Sequence, residues 1–208
     1  MLIYLADLGH TYSTKNESLM IPLNIGYLKA YVVKQHGNNV DIKLFKDPNE
    51  LLKAVYKKCP DLLGFSNYGW NEDLNFRIGK FIKLEFPKTV MVSGGPNIDE
   101  ETKNKVDFLK KNNHLDYYLV DGGEEPFSEL ITWLNNDKKT EIPKNIIFLN
   151  KNGELVSSGK RPLSKKSDHI SSPYLMGYLD EFLDLNMVPL LETNRGCPFR
   201  CTFCAWGM

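Results

Sequence analysis

Five short apolar runs, at residues 2–6, 40–45, 62–66, 89–92 and 117–120, alternate with stretches whose apolar residues recur at helical spacing, and this alternation constrains the fold more than any other feature. The helical sets are Ile25, Leu28 and Val32; then Leu51, Leu52, Val55, Tyr56 and Cys59; then Leu74, Ile78, Phe81 and Ile82; and, after the fifth run, Phe127, Leu130, Ile131 and Leu134. Gly37 and Pro87 stand where the first and third helices should stop. Runs that are apolar at every position are buried on both faces, and parallel neighbours need a crossover between them. The pattern therefore predicts an α/β fold over residues 1–138: a doubly wound five-stranded parallel sheet of the Rossmann or flavodoxin type, covered by helices on both sides.

The pattern changes from about residue 139. Ile146-Ile147-Phe148-Leu149 and Leu155-Val156 flank Lys151-Asn152-Gly153-Glu154, and Asn-Gly between apolar runs signals a hairpin. Residues 159–173 are rich in Ser, Lys and Pro and read as a linker, followed by a short helical piece from about 174 to 183, so 139–186 is expected to be hairpin and linker. Residues 188–192 then read as one more strand, which opens a further unit over 187–208.

With 26 basic and 26 acidic side chains the formal net charge is zero, so the chain lacks the clustered positive charge that nucleic-acid backbones and anionic membranes require. No run approaches the roughly 20 apolar residues that span a bilayer, and the first residues lack the basic start of a leader. A cytoplasmic location is the expectation, with neither nucleic acid nor membrane as partner.

Cys197, Cys201 and Cys204 fall within eight residues while Cys59 stands alone, a placement that suits metal binding in a reducing compartment better than a disulfide scaffold. The spacing Cys-x3-Cys-x2-Cys lets one loop present three thiolates to a common point, which suits an iron–sulfur cluster. Structural zinc takes four protein ligands, and the neighbourhood supplies three, so a zinc site would need a distant fourth residue. Three ligands on a 4Fe-4S cluster leave one iron open to a nitrogen and oxygen chelator.

With Phe203 before the last cysteine and Thr193-Asn194-Arg195-Gly196-Cys197-Pro198 leading in, the motif resembles the radical SAM superfamily. The resemblance implies that Cys197, Cys201 and Cys204 hold a 4Fe-4S cluster whose open iron chelates S-adenosylmethionine, and that reductive cleavage yields a 5′-deoxyadenosyl radical. It also implies an electron donor such as a flavodoxin or ferredoxin.

In an open parallel sheet, ligands bind beyond the carboxyl ends of the strands. The loops expected there carry Gly9-His10-Thr11-Tyr12-Ser13, Ser66-Asn67-Tyr68-Gly69-Trp70, Gly94-Gly95-Pro96-Asn97 and Asp121-Gly122-Gly123-Glu124-Glu125-Pro126. Glycine pairs allow close backbone approach to a bulky ligand, or simply a tight turn, and Pro126 suits the first turn of a helix. Together with the cysteine loop, Gly94-Gly95-Pro96 and Gly123-Glu124-Glu125-Pro126-Phe127 resemble the amino-terminal part of cobalamin-binding radical SAM enzymes, in which such a domain precedes the radical SAM barrel. The resemblance makes Ser66, Asn67, Gly94, Gly95, Gly122 and Gly123 the candidate corrin contacts. One departure stands out: cobalamin domains with a histidine lower ligand carry Asp-x-His-x-x-Gly, whereas here His10 falls one place late after Asp7 and Ser13 replaces the glycine. Any bound cobalamin is therefore expected to lack a histidine ligand.

Blander roles fit the other residues singled out. Cys59 is expected as a small core residue, His36 as a helix C-terminal charge, His114 as part of a polar connection, and Glu124 and Glu125 as acidic residues at a helix start. Tyr68 and Trp70 suit either stacking on a ligand or packing. Four residues after Cys204 do not make a barrel, so the chain is expected to be a fragment, or half of a split enzyme whose partner chain carries the rest. Two other functions compete: a ligand-binding module without catalysis, and a zinc-stabilised interaction protein.

Overall fold

The computed structural model describes residues 1–9, 19–99, 101–137, 139–161, 171–185, 187–195, 199, 201 and 202. Five strands are parallel: β1 (Leu2–Ala6), β2 (Asp41–Phe45), β3 (Leu62–Ser66), β4 (Val90–Gly94) and β5 (Tyr117–Leu119). Each lies within a residue or two of the apolar run that predicts it. Two more strands, β6 (Ile146–Leu149) and β7 (Leu155–Ser157), pair antiparallel, β6 to β5 and β7 to β6, giving the order β2-β1-β3-β4-β5-β6-β7. The Asn-Gly hairpin thus continues the sheet, which has seven strands where the sequence predicts five. Val120 N donates to Asn145 O (2.9 Å) and carries the pairing of β5 toward the hairpin, while Ile146 and Ile147 are buried against the sheet's neighbours.

Helices α1 (Leu23–His36) and α5 (Glu124–Asn135) cover one face; α2 (Pro48–Lys57), α3 (Glu72–Glu85) and α4 (Thr102–Lys111) cover the other. The α2 start shows the local logic: Asp47 caps the helix by accepting from Asn49 N (2.7 Å) and Glu50 N (3.1 Å), and Pro48 fills the first turn, where an amide hydrogen would lack a partner. His36 falls in the last turn of α1, as expected, and its Nε2 lies 3.0 Å from Ser128 Oγ, which ties α1 to α5.

Period-two alternation sorts each strand between the faces. Leu63, Phe65, Met91 and Tyr4 point to α2 and α3; Leu62, Val92, Leu5 and Leu119 point to α1 and α5. Burial of these side chains is worth about 1.5–3 kcal/mol each and drives the assembly. On the α1/α5 face the side chains shrink toward the carboxyl edge, Leu62-Gly64-Ser66 on β3 and Val90-Val92-Gly94 on β4.

Three expectations need correction. Cys59 is exposed and lies beyond α2, which ends at Lys57; its Sγ sits 3.1 Å from Thr89 Oγ1. Pro60 disfavours helical backbone at the preceding residue, so the apolar periodicity outruns the helix. Residues 173–179 form turns and only Asp180–Asp184 is helical (α6), with Leu179 buried against Gly26 of α1, where a side chain would come within 3.0 Å of Leu179 Cδ2. Residues 188–192 do not form a strand: Val188 makes one parallel bridge with Met20, and the residues after it are exposed. No helix among the described residues is long and apolar enough to cross a membrane.

Candidate functional site

The shrinking side chains leave a cavity of about 620 Å³ at the carboxyl edge of β1, β3, β4 and β5, between α1 and α5. It lies where the strand order reverses between β1 and β3, the position at which open α/β sheets bind ligands. Its floor is apolar, made by Leu5, Gly64, Val92, Leu119 and Phe127, and its rim is polar. Gly64 is what keeps the floor deep, because a Cβ there would meet Leu5 Cδ2 at 2.9 Å.

Five of the six candidate corrin contacts border this cavity: Ser66, Gly94, Gly95, Gly122 and Gly123. Asn67 does not line it; its side chain turns toward Asn97 O (3.4 Å) and Tyr118 Oη (3.5 Å). The glycines differ in their reasons. Gly95 has φ 132°, and a Cβ would fall 2.4 Å from Asn67 O, so this glycine is demanded by the crossing of two loops. At Gly122 a Cβ would meet nothing within 4 Å, which leaves the backbone open to a ligand. Asp121, just before it, adopts φ 62° and also lines the cavity.

Beneath the rim lies a network that the sequence reading does not anticipate. Asp7, at the end of β1, is buried; Lys46 Nζ approaches its Oδ2 at 2.9 Å, and Ser66 Oγ donates to its Oδ1. Among the described residues, Lys46 and Ser66 thus engage one carboxylate oxygen each. His10 and Ser13 lie outside the described residues. Asn71 and Asn75 both donate to Ser66 O (3.2 and 2.8 Å), and Asn71 also donates to Leu8 O (3.3 Å), so the loop after β3 is held to the loop after β1. Tyr68 lines the cavity and stacks on exposed Trp70, with ring centroids 4.4 Å apart and planes 6° from parallel. Burial raises the Tyr68 phenol pKa, which keeps it neutral, and its hydroxyl accepts from Asn24 Nδ2 (3.3 Å).

Residues 190–195 run across the cavity mouth and line it. Arg195 reaches back to Glu124, the first residue of α5, with Nη2 2.6 Å from Oε1; it also pairs with Glu192 (2.9 Å) and lies over the Tyr27 ring, 5.2 Å from the centroid. Burial opposes the charge on Arg195, but its hydrogen bonds to Glu124 and Glu192 outweigh that and raise its pKa. Glu125 instead pairs with Arg161, which also reaches Glu129.

Of the three clustered cysteines, Cys201 is described and exposed, while Cys197 and Cys204 lie outside the described residues. Among the described residues no group of three metal-ligating side chains comes together. His114 also departs from expectation: it is buried against Gly79 and Phe76, and burial together with Lys80 lowers its pKa to about 4, so it is neutral at pH 7.

Fold and cavity define the class: a flavodoxin-like α/β domain with a ligand hollow at the switch point of its sheet. No protein-family model matches the chain. The cobalamin-dependent radical SAM methyltransferase TokK of Streptomyces tokunonensis is 29% identical over 203 residues, covering 92% of this chain and 29% of that protein. The 2-(S-pantetheinyl)-carbapenam-3-carboxylate methyltransferase of Streptantibioticus cattleyicolor is 29% identical over 202 residues, covering 90% of this chain and 28% of that protein. The structure of the cobalamin-dependent S-adenosylmethionine radical enzyme OxsB with aqua-cobalamin bound superposes with a TM-score of 0.73 at 22% identity, covering 98% of this chain and 28% of that one. Over some nine-tenths of its length the chain is thus similar to part of these two methyltransferases, and it shares its fold with part of OxsB. It spans less than a third of the length of these relatives.

Proposed function

We propose that this chain is the corrin-holding part of a cobalamin-dependent radical SAM enzyme, with residues 1–138 as the cobalamin-binding domain, 139–186 as hairpin and linker, and 187–208 as the start of the cluster-bearing domain. The observation that carries the reading is the cavity of about 620 Å³ at the switch point, rimmed by Ser66, Gly94, Gly95, Gly122 and Gly123. The residues present suit a corrin. The floor is apolar, the glycine loops bring backbone rather than side chains to the rim, and Gly122 has open space on its Cα.

Cobalamin bound there would supply a cobalt centre able to carry a methyl group. What this chain contributes is placement. Ser66 is fixed by its hydrogen bond to Asp7, and Asn71 and Asn75 fix its backbone, so the rim is preorganised. Lys46 pairs with one carboxylate oxygen of Asp7 and Ser66 donates to the other, so the carboxylate serves to hold the rim. A corrin held here is expected to lack a histidine ligand, because His10 falls one place late after Asp7 and Ser13 replaces the glycine; Tyr68 would stand beside it as part of the cavity wall. Cys197, Cys201 and Cys204 are proposed to hold a 4Fe-4S cluster that binds and reductively cleaves S-adenosylmethionine, fed by a flavodoxin- or ferredoxin-like donor. Methyl transfer is the proposed activity of the whole enzyme, in a soluble, cytoplasmic setting.

Anaerobic reconstitution of the full chain with iron and sulfide, followed by metal analysis and electron paramagnetic resonance, tests the cluster. About four irons per chain, lost when Cys201 and its two neighbours in the motif become alanine, supports it. A colourless product, or one loaded with zinc, overturns it. Uptake of hydroxocobalamin that survives the cysteine substitutions, in a chain that never assembles iron, would favour the binding module without catalysis.

A further inference from the structure

We propose that Arg195 is a positioning residue that latches residues 190–195 over the hollow and so ties the segment leading into Cys197 to the wall of the corrin pocket. The proposal rests on the function proposed above for what fills the hollow, and on independent geometry for the latch itself.

The strap is attached at its start by backbone bonds and by one tyrosine hydroxyl. Val188 N donates to Leu19 O (2.8 Å), Ile21 N donates to Val188 O (3.0 Å), and the Tyr174 hydroxyl donates to Leu190 O (2.7 Å). Beyond that point Leu191, Glu192, Thr193 and Asn194 are exposed and contribute to the cavity lining, and among the described residues no strand ladder continues. Arg195 supplies a side-chain anchor to the cavity wall. Its guanidinium bonds Glu124 on α5 at 2.6 Å and lies on Tyr27 of α1, so one side chain bridges the two helices that wall the cavity.

Glu124 fits as the receiving group. It is 7% exposed, and among the described residues Arg195 is its ion-pair partner. It opens α5, where the helix dipole favours a carboxylate, and the helix rather than the strap sets its position. A buried carboxylate holding an arginine gives a geometrically specific attachment that a lysine reproduces in charge and only partly in geometry. The within-strap pair to Glu192 shapes the arginine but crosses to nothing else, so it is not the latch.

The consequence is linkage. Whatever fills the hollow contacts the underside of the strap, and the strap leads in two residues to Cys197; binding at one site therefore orders the other, and the effect is reciprocal.

Hydrogen–deuterium exchange on the full chain, read on peptides covering 188–195 and 196–204, tests this. Without any cofactor, Arg195→Met and Glu124→Gln should each speed exchange across 190–195, Arg195→Lys should retain most of the protection, and Glu192→Gln should change little. With hydroxocobalamin added, the unsubstituted chain and Arg195→Lys should become protected in both peptides, while Arg195→Met binds the corrin about tenfold more weakly and gains no protection in 196–204. Equal exchange in Arg195→Met and the unsubstituted chain, with or without corrin, overturns the latch. If the unsubstituted chain takes up no corrin yet its exchange responds to Arg195→Met as described, the latch stands and the corrin reading falls.

Discussion

The two faces of one sheet are built from the same five parallel strands and end up opposite in character. Toward α2 and α3 the strands present Tyr4, Leu63, Phe65 and Met91, all buried, and the layer is closed. Toward α1 and α5 they begin equally large, with Ile3 and Leu62, and finish in Gly64, Ser66 and Gly94, so the layer opens at its carboxyl edge. One strand does both: along β3, Leu63 and Phe65 seal one side while Gly64 and Ser66 hollow the other. A binding site in this fold is thus a programmed shortage of side-chain volume on alternate residues of neighbouring strands.

That contrast can be broken by substitution. The largest effect is expected beneath the rim: Lys46→Met leaves the Asp7 carboxylate buried beside Ser66 without its cation, at a cost of roughly 3–5 kcal/mol, measurable as a shift of the urea midpoint. On the closed face, Leu63→Ala should cost ~2–5 kcal/mol, because the strand is fully buried there and the cavity cannot collapse.

The open face should respond in the reverse sense. Gly64→Leu is a small-to-large change that would cost ~1–3 kcal/mol in a filled core. Here the new Cβ presses on the flexible tip of Leu5 and makes ordinary contact with the Phe127 ring, and the rest of the side chain enters the hollow, so stability should change by less than that range while hydroxocobalamin uptake is lost. Ala6→Leu, on the closed face of β1, is the matched control and should show the full overpacking cost. Equal destabilisation by the two would erase the distinction between the faces.

A smaller effect is expected from His114. Its folded pKa, about 4, lies below the unfolded value, so above pH ~6.5 it is neutral in both states and contributes no slope. As pH falls from there toward 4, only the unfolded chain takes up the proton, and stability declines. His114→Gln should remove that part of the pH dependence, seen as a flatter stability profile between those limits. Leu84→Ser, on an exposed position of α3, should stay within about 0.5 kcal/mol.

Much of this was legible in the residues, for identifiable reasons. β1, β3 and β5 are runs buried at every position because both faces are covered, whereas β2, at the edge of the sheet, alternates, with Asp41 and Lys43 exposed. Helix α4 escaped because Thr102-Lys-Asn-Lys-Val-Asp-Phe-Leu-Lys-Lys buries only Leu109 and so carries almost no apolar stripe. Asn152-Gly153 announces a hairpin, but a turn signal does not say which strand the hairpin will join, and β5 is its neighbour only in space. The run at 188–192 is largely apolar, which composition alone reads as a strand, yet among the described residues its pairing stops at the single bridge of Val188 with Met20.

The site was legible in part. Glycine pairs flagged the loops, and five of the six residues chosen from them reach one cavity. Asn67 did not, because alternation sends the residue after Ser66 to the opposite face of the sheet, toward Tyr118. The roles of Lys46, Asn71, Asn75 and Glu124 depend on which loops become neighbours, and that follows from the strand order rather than from any local pattern.

The central claim is that the hollow at the switch point holds a corrin without a histidine beneath it. An anaerobic titration of the full chain with hydroxocobalamin, followed by reduction and electron paramagnetic resonance of the cobalt, addresses it most directly. The account predicts saturable uptake of one corrin per chain, abolished by Gly64→Leu, and a cobalt spectrum free of nitrogen splitting from an imidazole. A chain that leaves the corrin spectrum unchanged, or one whose cobalt carries a histidine nitrogen, would contradict it.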